Sequence, residues 1–191
     1  MTPVRVNQNN ILCRFRDLPT YNHATLLIVS VKGIGSEDLV EAILQMDTSY
    51  SVQIRTTTSL PLPQLSKTES RPRIDYIIFA LDLSNQHSCQ MIEEAVAFVD
   101  VDYFIGRSCF ILSKANQEHL HSVDVTYITD MIKAYDSTMF FGDLQNKDDR
   151  FNMVEKILHH VEVACGFRKG INPLLLSATK HLYSFDDMMT P

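Results

Sequence analysis

Long hydrophobic runs are missing from this sequence. No segment reaches the roughly 18 consecutive apolar residues that suggest a membrane span, and the amino terminus, with Arg5, Asn7, Asn9 and Asn10, holds no signal-peptide core. The expectation is a soluble intracellular protein that engages no membrane. A surplus of basic residues is also missing: 17 Lys and Arg stand against 23 Asp and Glu, a formal charge of -6. Broad, sequence-independent binding of nucleic-acid phosphates needs a basic surface, so direct DNA or RNA binding is not expected. Closely spaced cysteines are lacking as well. Cys13, Cys89, Cys109 and Cys165 are far apart, form no C-x-x-C pair and read as reduced, mostly buried small hydrophobes with no activating neighbour in view.

Other chemistry is excluded by spacing. His119 with His121, and His159 with His160, lack the i, i+4 pattern of a helical metal site. Glu93 and Glu94 are adjacent, so on a helix they project in different directions and cannot act as a carboxylate pair. No metal, cofactor or catalytic residue is expected. There is no internal repeat and no low-complexity tract.

What the chain does contain is a regular alternation. Apolar runs at Leu26 to Val31, Ile74 to Leu83 and Cys109 to Leu112 read as buried strands. Weaker strand signals lie at Ser51 to Thr58 and Met139 to Phe141. Between them come helical stripes: Leu39, Val40, Ile43 and Leu44; Ile92, Ala95, Val96 and Val99 behind a cap at Ser88; Val125, Ile128, Met131 and Ile132. The longest stripe, Phe151, Val154, Ile157, Leu158, Val161 and Cys165, ends at Gly166. Strands alternating with helices imply an α/β fold with a mainly parallel sheet covered on both faces. At 191 residues the chain suffices for one well-buried domain, 24–170. An irregular segment 1–23 precedes it, with Ile11, Leu12, Phe15 and Leu18 available to lie on the core. Residues 171–191 follow, with Asn172 and Pro173 opening a short extra helix before a frayed tail.

The organising stretch is Ala24 to Met46: a strand, a turn at Lys32 to Gly35, then an acidic helix that Ser36 would cap. Mononucleotide-binding domains begin this way because the turn aims helix amides at a phosphate. Against G-x-x-x-x-G-K-[ST], however, the chain reads Ser30 to Glu37, and only Gly35 matches. Ser36 replaces the phosphate-binding lysine and Glu37 the magnesium hydroxyl. A carboxylate about 4 Å from a phosphate charge costs on the order of 4 kcal/mol at an effective dielectric near 20, and the lost lysine contact about 1.5 to 3 more. After the Cys109 strand, the base-reading pattern N-K-x-D appears as Ser113, Lys114, Ala115 and Asn116, with an amide where guanine needs a carboxylate. No D-x-x-G occurs between Asp47 and Arg73, so nothing there holds magnesium or positions a water. The fold expected is thus small-GTPase-like with degenerate nucleotide loops.

Three stretches carry a closer likeness. Ser59, Leu60, Pro61, Leu62 and Pro63; Arg71, Pro72, Arg73, Ile74 and Asp75; and Asp102 to Gly106 with Cys109 and Phe110 resemble the centromere protein M family, over most of the chain from Leu26 to about Ser177. The resemblance implies a pseudo-GTPase that binds no nucleotide. It implies a structural subunit of the inner kinetochore, nuclear and centromeric, in a complex with centromere protein I principally and with centromere proteins H and K. For such a protein the informative residues are apolar ones outside the obvious core. Phe104, Ile105, Arg107, Leu174 and Leu175 form the expected partner interface. The competing expectation is a divergent small GTPase that binds guanine nucleotide through unusual contacts and switches a trafficking or signalling partner.

Overall fold

An apolar segment can be buried on both faces only inside a covered sheet. In the computed structural model, which describes residues 11–15, 22–63 and 72–171, His23–Ser30 (β1) does this, with every residue after His23 buried. Tyr76–Asp82 (β3) and Ser108–Ser113 (β4) are buried throughout. Ser51–Thr57 (β2), largely alternating between exposed and half-buried, and Thr138–Gly142 (β5) form the two edges. The five strands are all parallel, in the order β2-β1-β3-β4-β5.

Five helices accompany them: Ser36–Gln45 (α1), Gln86–Val96 (α2), Val101–Phe104 (α3), Val125–Ala134 (α4) and Lys147–Ala164 (α5). From β1 the chain steps outward to β2, whereas from β3 it steps the opposite way to β4 and β5. Right-handed crossovers therefore put α1 on one face and the helices between β3 and β5 on the other. The last helix returns to pack beside α1. There the Tyr50 hydroxyl donates to the Leu158 carbonyl at 2.8 Å. This doubly wound α/β architecture is consistent with a small-GTPase-like fold.

Local details depart from the sequence expectation. Ser88 was the expected cap of α2, but Asn85 takes that place, its side chain accepting from the amides of His87 and Ser88 at 3.0 and 3.3 Å. Ser88 lies within the first turn, where its Oγ accepts from the Asp82 amide at 3.0 Å and ties the helix to the end of β3. Ser36 is likewise not a cap. Gly35 holds that position with no side-chain bond, and the Ser36 hydroxyl donates to Glu37 Oε2 at 3.2 Å. The two sites give a contrast: Asn85→Ala should lose about 1 kcal/mol in urea denaturation, Ser36→Ala only a few tenths.

At the far end of α5 the amides of Gly166 and Phe167 donate to Val163 and Glu162, a reversal that needs the positive φ of 78° at Gly166. Of the stripe expected here, Val154, Ile157, Leu158, Val161 and the capping Cys165 are buried, and Phe151 is half-buried. Helix α3, only four residues long, has no apolar stripe to mark it in the sequence. Near the amino terminus, Leu12 is buried and bridges Val99, with backbone bonds to Phe98 and Asp100. Leu18 and the helix expected after Asn172 lie outside the described residues.

Candidate functional site

In a doubly wound sheet the ligand crevice opens beyond the carboxyl ends of the strands, where the strand order reverses. Here that point falls between β1 and β3. The turn after β1 runs through Gly33 and Gly35, at φ values of 85° and 91° that side chains with a Cβ rarely adopt. Beside it sits Leu144, from the loop after β5. A Cβ on Gly35 would stand 3.2 Å from the Leu144 Cβ. Leu144 is wholly buried. Its amide donates to Ser113 Oγ at 3.2 Å and its carbonyl accepts from Arg150 Nη1 at 2.6 Å, so it is clamped against the turn.

Toward β2 the turn borders an open cleft of about 370 Å³ lined by Ser30, Lys32, Ser36, Glu37 and the hydroxyl run Thr56 to Thr58. Ser30 and Ser36 are buried, while Glu37 is exposed. The residues expected to form the phosphate turn are therefore together, and a carboxylate stands among them.

The base loop is tied to its own chain. Lys114 Nζ lies 2.8 Å from Asp82 Oδ2 and 3.0 Å from Ser84 Oγ. Burial works against ionisation of Asp82, but Lys114 and the two Ser84 donors outweigh it and hold the carboxyl below the ordinary carboxylate range. The Lys114 carbonyl meets His121 Nε2 at 3.0 Å, and Gln117 Nε2 donates to Asp143 Oδ2 at 3.0 Å. Asn116 is exposed and Ser113 is buried under Leu144. Sequence reasoning missed the Asp82–Lys114 pair. The available signal was an aspartate ending one apolar run and a lysine just after the next, since Asp82 and Ser113 are register partners.

Of the expected partner residues, Phe104, Ile105 and Arg107 lie at the other end of the sheet, around α3 and the start of β4. Phe104 is a core residue, its ring 4.6 Å from Tyr135 and 6.2 Å from Phe79. Ile105 is half-buried, and Leu174 and Leu175 are outside the described residues. Arg107 is only 5% exposed. Burial first, then the charge of Arg14, lowers its guanidinium below the usual range, with Cys165 and Asp75 acting in the opposite sense. Asp75 itself is buried and fully engaged: Oδ2 accepts from the Thr25 amide at 2.9 Å and Oδ1 from Arg73 Nε at 2.6 Å.

Three of the four thiols are buried. Burial, with Asp82 and Glu93 adding to it, pushes Cys89 up to about 11, and burial pushes Cys109 and Cys165 up to about 12. Each keeps its proton near neutrality. Of the histidines, His160 lies edge-on to Phe140 and is lowered by burial and by His159. Among the described residues no three His, Cys, Asp or Glu side chains gather as a metal set, and no helix is long and apolar enough to cross a membrane.

Comparison with known proteins agrees with the resemblance. The model of the family described as Centromere protein M (CENP-M) matches residues 9–183. Centromere protein M of Homo sapiens is 29% identical over 159 residues, 83% of this chain and 87% of the relative. That of Xenopus laevis is 29% identical over 164 residues, 86% of this chain and 91% of the relative. The Danio rerio protein reaches 35% over 118 residues, 59% of this chain and 63% of the relative.

Proposed function

We infer function from kinship: the chain belongs to the centromere protein M family. It is by that membership a centromere protein. Beyond this, we propose a non-catalytic structural subunit of the inner kinetochore, nuclear, that assembles with centromere protein I principally and with centromere proteins H and K. It serves kinetochore assembly and chromosome segregation by presenting surface to helical partners. No GTP is bound or hydrolysed. Ile105 and Leu174 lie at the contact.

One observation carries the reading. Side chains at the phosphate turn and the base loop are engaged within the chain. Leu144 is clamped on Gly35, Ser36 bonds Glu37, and Lys114 is held by Asp82. A nucleotide would have to break a partly buried ion pair and accept a carboxylate beside its phosphates. A second reading draws on the open cleft beside Ser30 and Ser36. It has a divergent GTPase holding its nucleotide there and switching a partner.

Calorimetry with Mg²⁺ and GTP separates the two. No heat of binding up to millimolar nucleotide is expected, and chromatography of the denatured protein should release no GDP or GTP. Stoichiometric nucleotide would overturn the first reading. Co-purification with centromere proteins H, I and K, with and without substitutions at Ile105 and Leu174, tests the assembly itself.

A further inference from the structure

A strand at the edge of a sheet offers a row of unpaired amides and carbonyls to any other extended chain, and natural proteins guard such edges with prolines, bulges, charges or very short strands. β2 carries little of this protection. Its seven residues, Ser51–Thr57, include no proline and a single charge, at Arg55. They keep an unbroken register with His23 to Val29 of β1. On the other side of β2 no strand pairs with it among the described residues.

The two faces beside this edge differ. Tyr50, Val52 and Ile54 alternate onto one face, and the Tyr50 hydroxyl reaches the Leu158 carbonyl, so this is the face that α1 and α5 cover. Val52 and Ile54 pack against the core there and are only half-buried. Glu37, Val40 and Leu44 recur at helical spacing along one stripe of α1. Glu37 lines the cleft shared with Thr56 to Thr58, which places the stripe alongside β2. Leu44, at its end, is 62% exposed. On the opposite face of the strand Gln53 and Arg55 are exposed. The edge is thus apolar on one side and polar, with one positive charge, on the other.

We propose that the outer edge of β2 docks an extended segment of a partner protein in which apolar and acidic residues alternate. The segment joins the sheet as a further strand, its backbone pairing with the outward amides and carbonyls of β2. Its apolar side chains cover Val52, Ile54 and Leu44, and its carboxylates lie beside Arg55. A slip of one residue would turn the carboxylates to the α1 side, toward Glu37, so charge fixes the register. A second copy of this chain is the poorer occupant, because its own edge brings Arg55 and no carboxylate. The surface involves neither Ile105 nor Leu174. It goes beyond the assembly reading and does not rest on it.

The test uses the full chain and two fluorescent peptides of the same length as β2, one alternating valine with glutamate and the other valine with lysine. In anisotropy titrations the wild type should prefer the glutamate peptide by about fivefold or more. Arg55→Glu should reverse that order while its melting temperature stays within about 2 °C of the wild type, as befits an exposed side chain. At saturation with the glutamate peptide, hydrogen exchange of the outward amides of β2 should slow about tenfold or more. Equal binding of the two peptides would overturn the proposal, as would a preference unaccompanied by slower exchange in β2, which would be attraction of charge without strand pairing. Sedimentation of the chain alone should show a monomer. A concentration-dependent dimer with protected β2 amides would assign the edge to a second copy and overturn the proposal as well.

Discussion

Lys114→Met should destabilise the chain by about 3 kcal/mol in urea denaturation at neutral pH. The substitution leaves Asp82, whose side chain is only 8% exposed, without the ammonium that now lies 2.8 Å away. The expected loss sits at the low end for a broken buried pair because the Lys114 side chain is itself 21% exposed. Asp82→Asn should cost less, about 1 kcal/mol, since Lys114 can turn toward water and the amide oxygen can still accept from Ser84. The double variant should recover much of the loss, a coupling of roughly 2 kcal/mol; simple additivity would show the pair to be idle.

The pH dependence gives an independent check with a definite sign. In the wild type the folded carboxyl of Asp82 lies below its unfolded value of about 3.9. Its contribution is complete above that value and is lost as pH falls through the lower, folded one. In Lys114→Met the ammonium's hydrogen bond and charge are gone while both Ser84 donors remain, so the folded value moves up toward the unfolded one. The stability that Asp82 contributes above its unfolded value, and that acid removes, should shrink accordingly.

The second large effect is expected at the turn before α1. Gly35→Ala should lose about 2–3 kcal/mol: roughly 1–2 for a Cβ at a φ of 91°, and the rest from the 3.2 Å approach to Leu144. Gly33→Ala meets nothing within 4 Å at a similar φ of 85° and should lose only the backbone contribution of about 1 kcal/mol. The difference between the two glycines measures how firmly Leu144 is clamped. Leu144→Ala should itself cost about 3 kcal/mol as a wholly buried leucine. It should not relieve Gly35→Ala, because the atoms the new methyl would meet, the Leu144 Cβ, carbonyl carbon and carbonyl oxygen, all remain in alanine. A marked recovery in the double variant would instead show the loop after β5 shifting off the turn once its leucine is gone.

Most of the fold was legible because burial on both faces writes itself as an uninterrupted apolar run. Leu26 to Val31, Ile74 to Leu83 and Cys109 to Leu112 mark the three central strands for that reason. The stripe of α5 was equally plain, its period being that of a helix with one docked face. Caps were less so. Ser36 and Ser88 are good cap residues by type, but the cap position is decided by backbone dihedrals, and Gly35 and Asn85 had them.

The site was legible only in part. The replacements at Ser36, Glu37 and Asn116 could be read from a pattern, since each stands at a fixed offset. The contacts that follow from them could not: Leu144 and Gly35 are far apart in the chain, as are Lys114 and Asp82, and only the parallel register of the sheet brings them together. Arg107 could be named from its place in the sequence, but its burial ahead of β4 could not.

The bond from the Tyr50 hydroxyl to the Leu158 carbonyl spans 108 residues. At ordinary rates of translation the second partner leaves the ribosome on the order of ten seconds after the first. During that interval α1 has no α5 beside it, and the tyrosine hydroxyl must be satisfied by water. Long-range closures of this kind slow folding, since chain entropy is lost before the contact repays it. The nascent protein thus passes through a stage in which one face of its sheet is covered by α1 alone, and a chaperone has a defined surface and a defined interval in which to act.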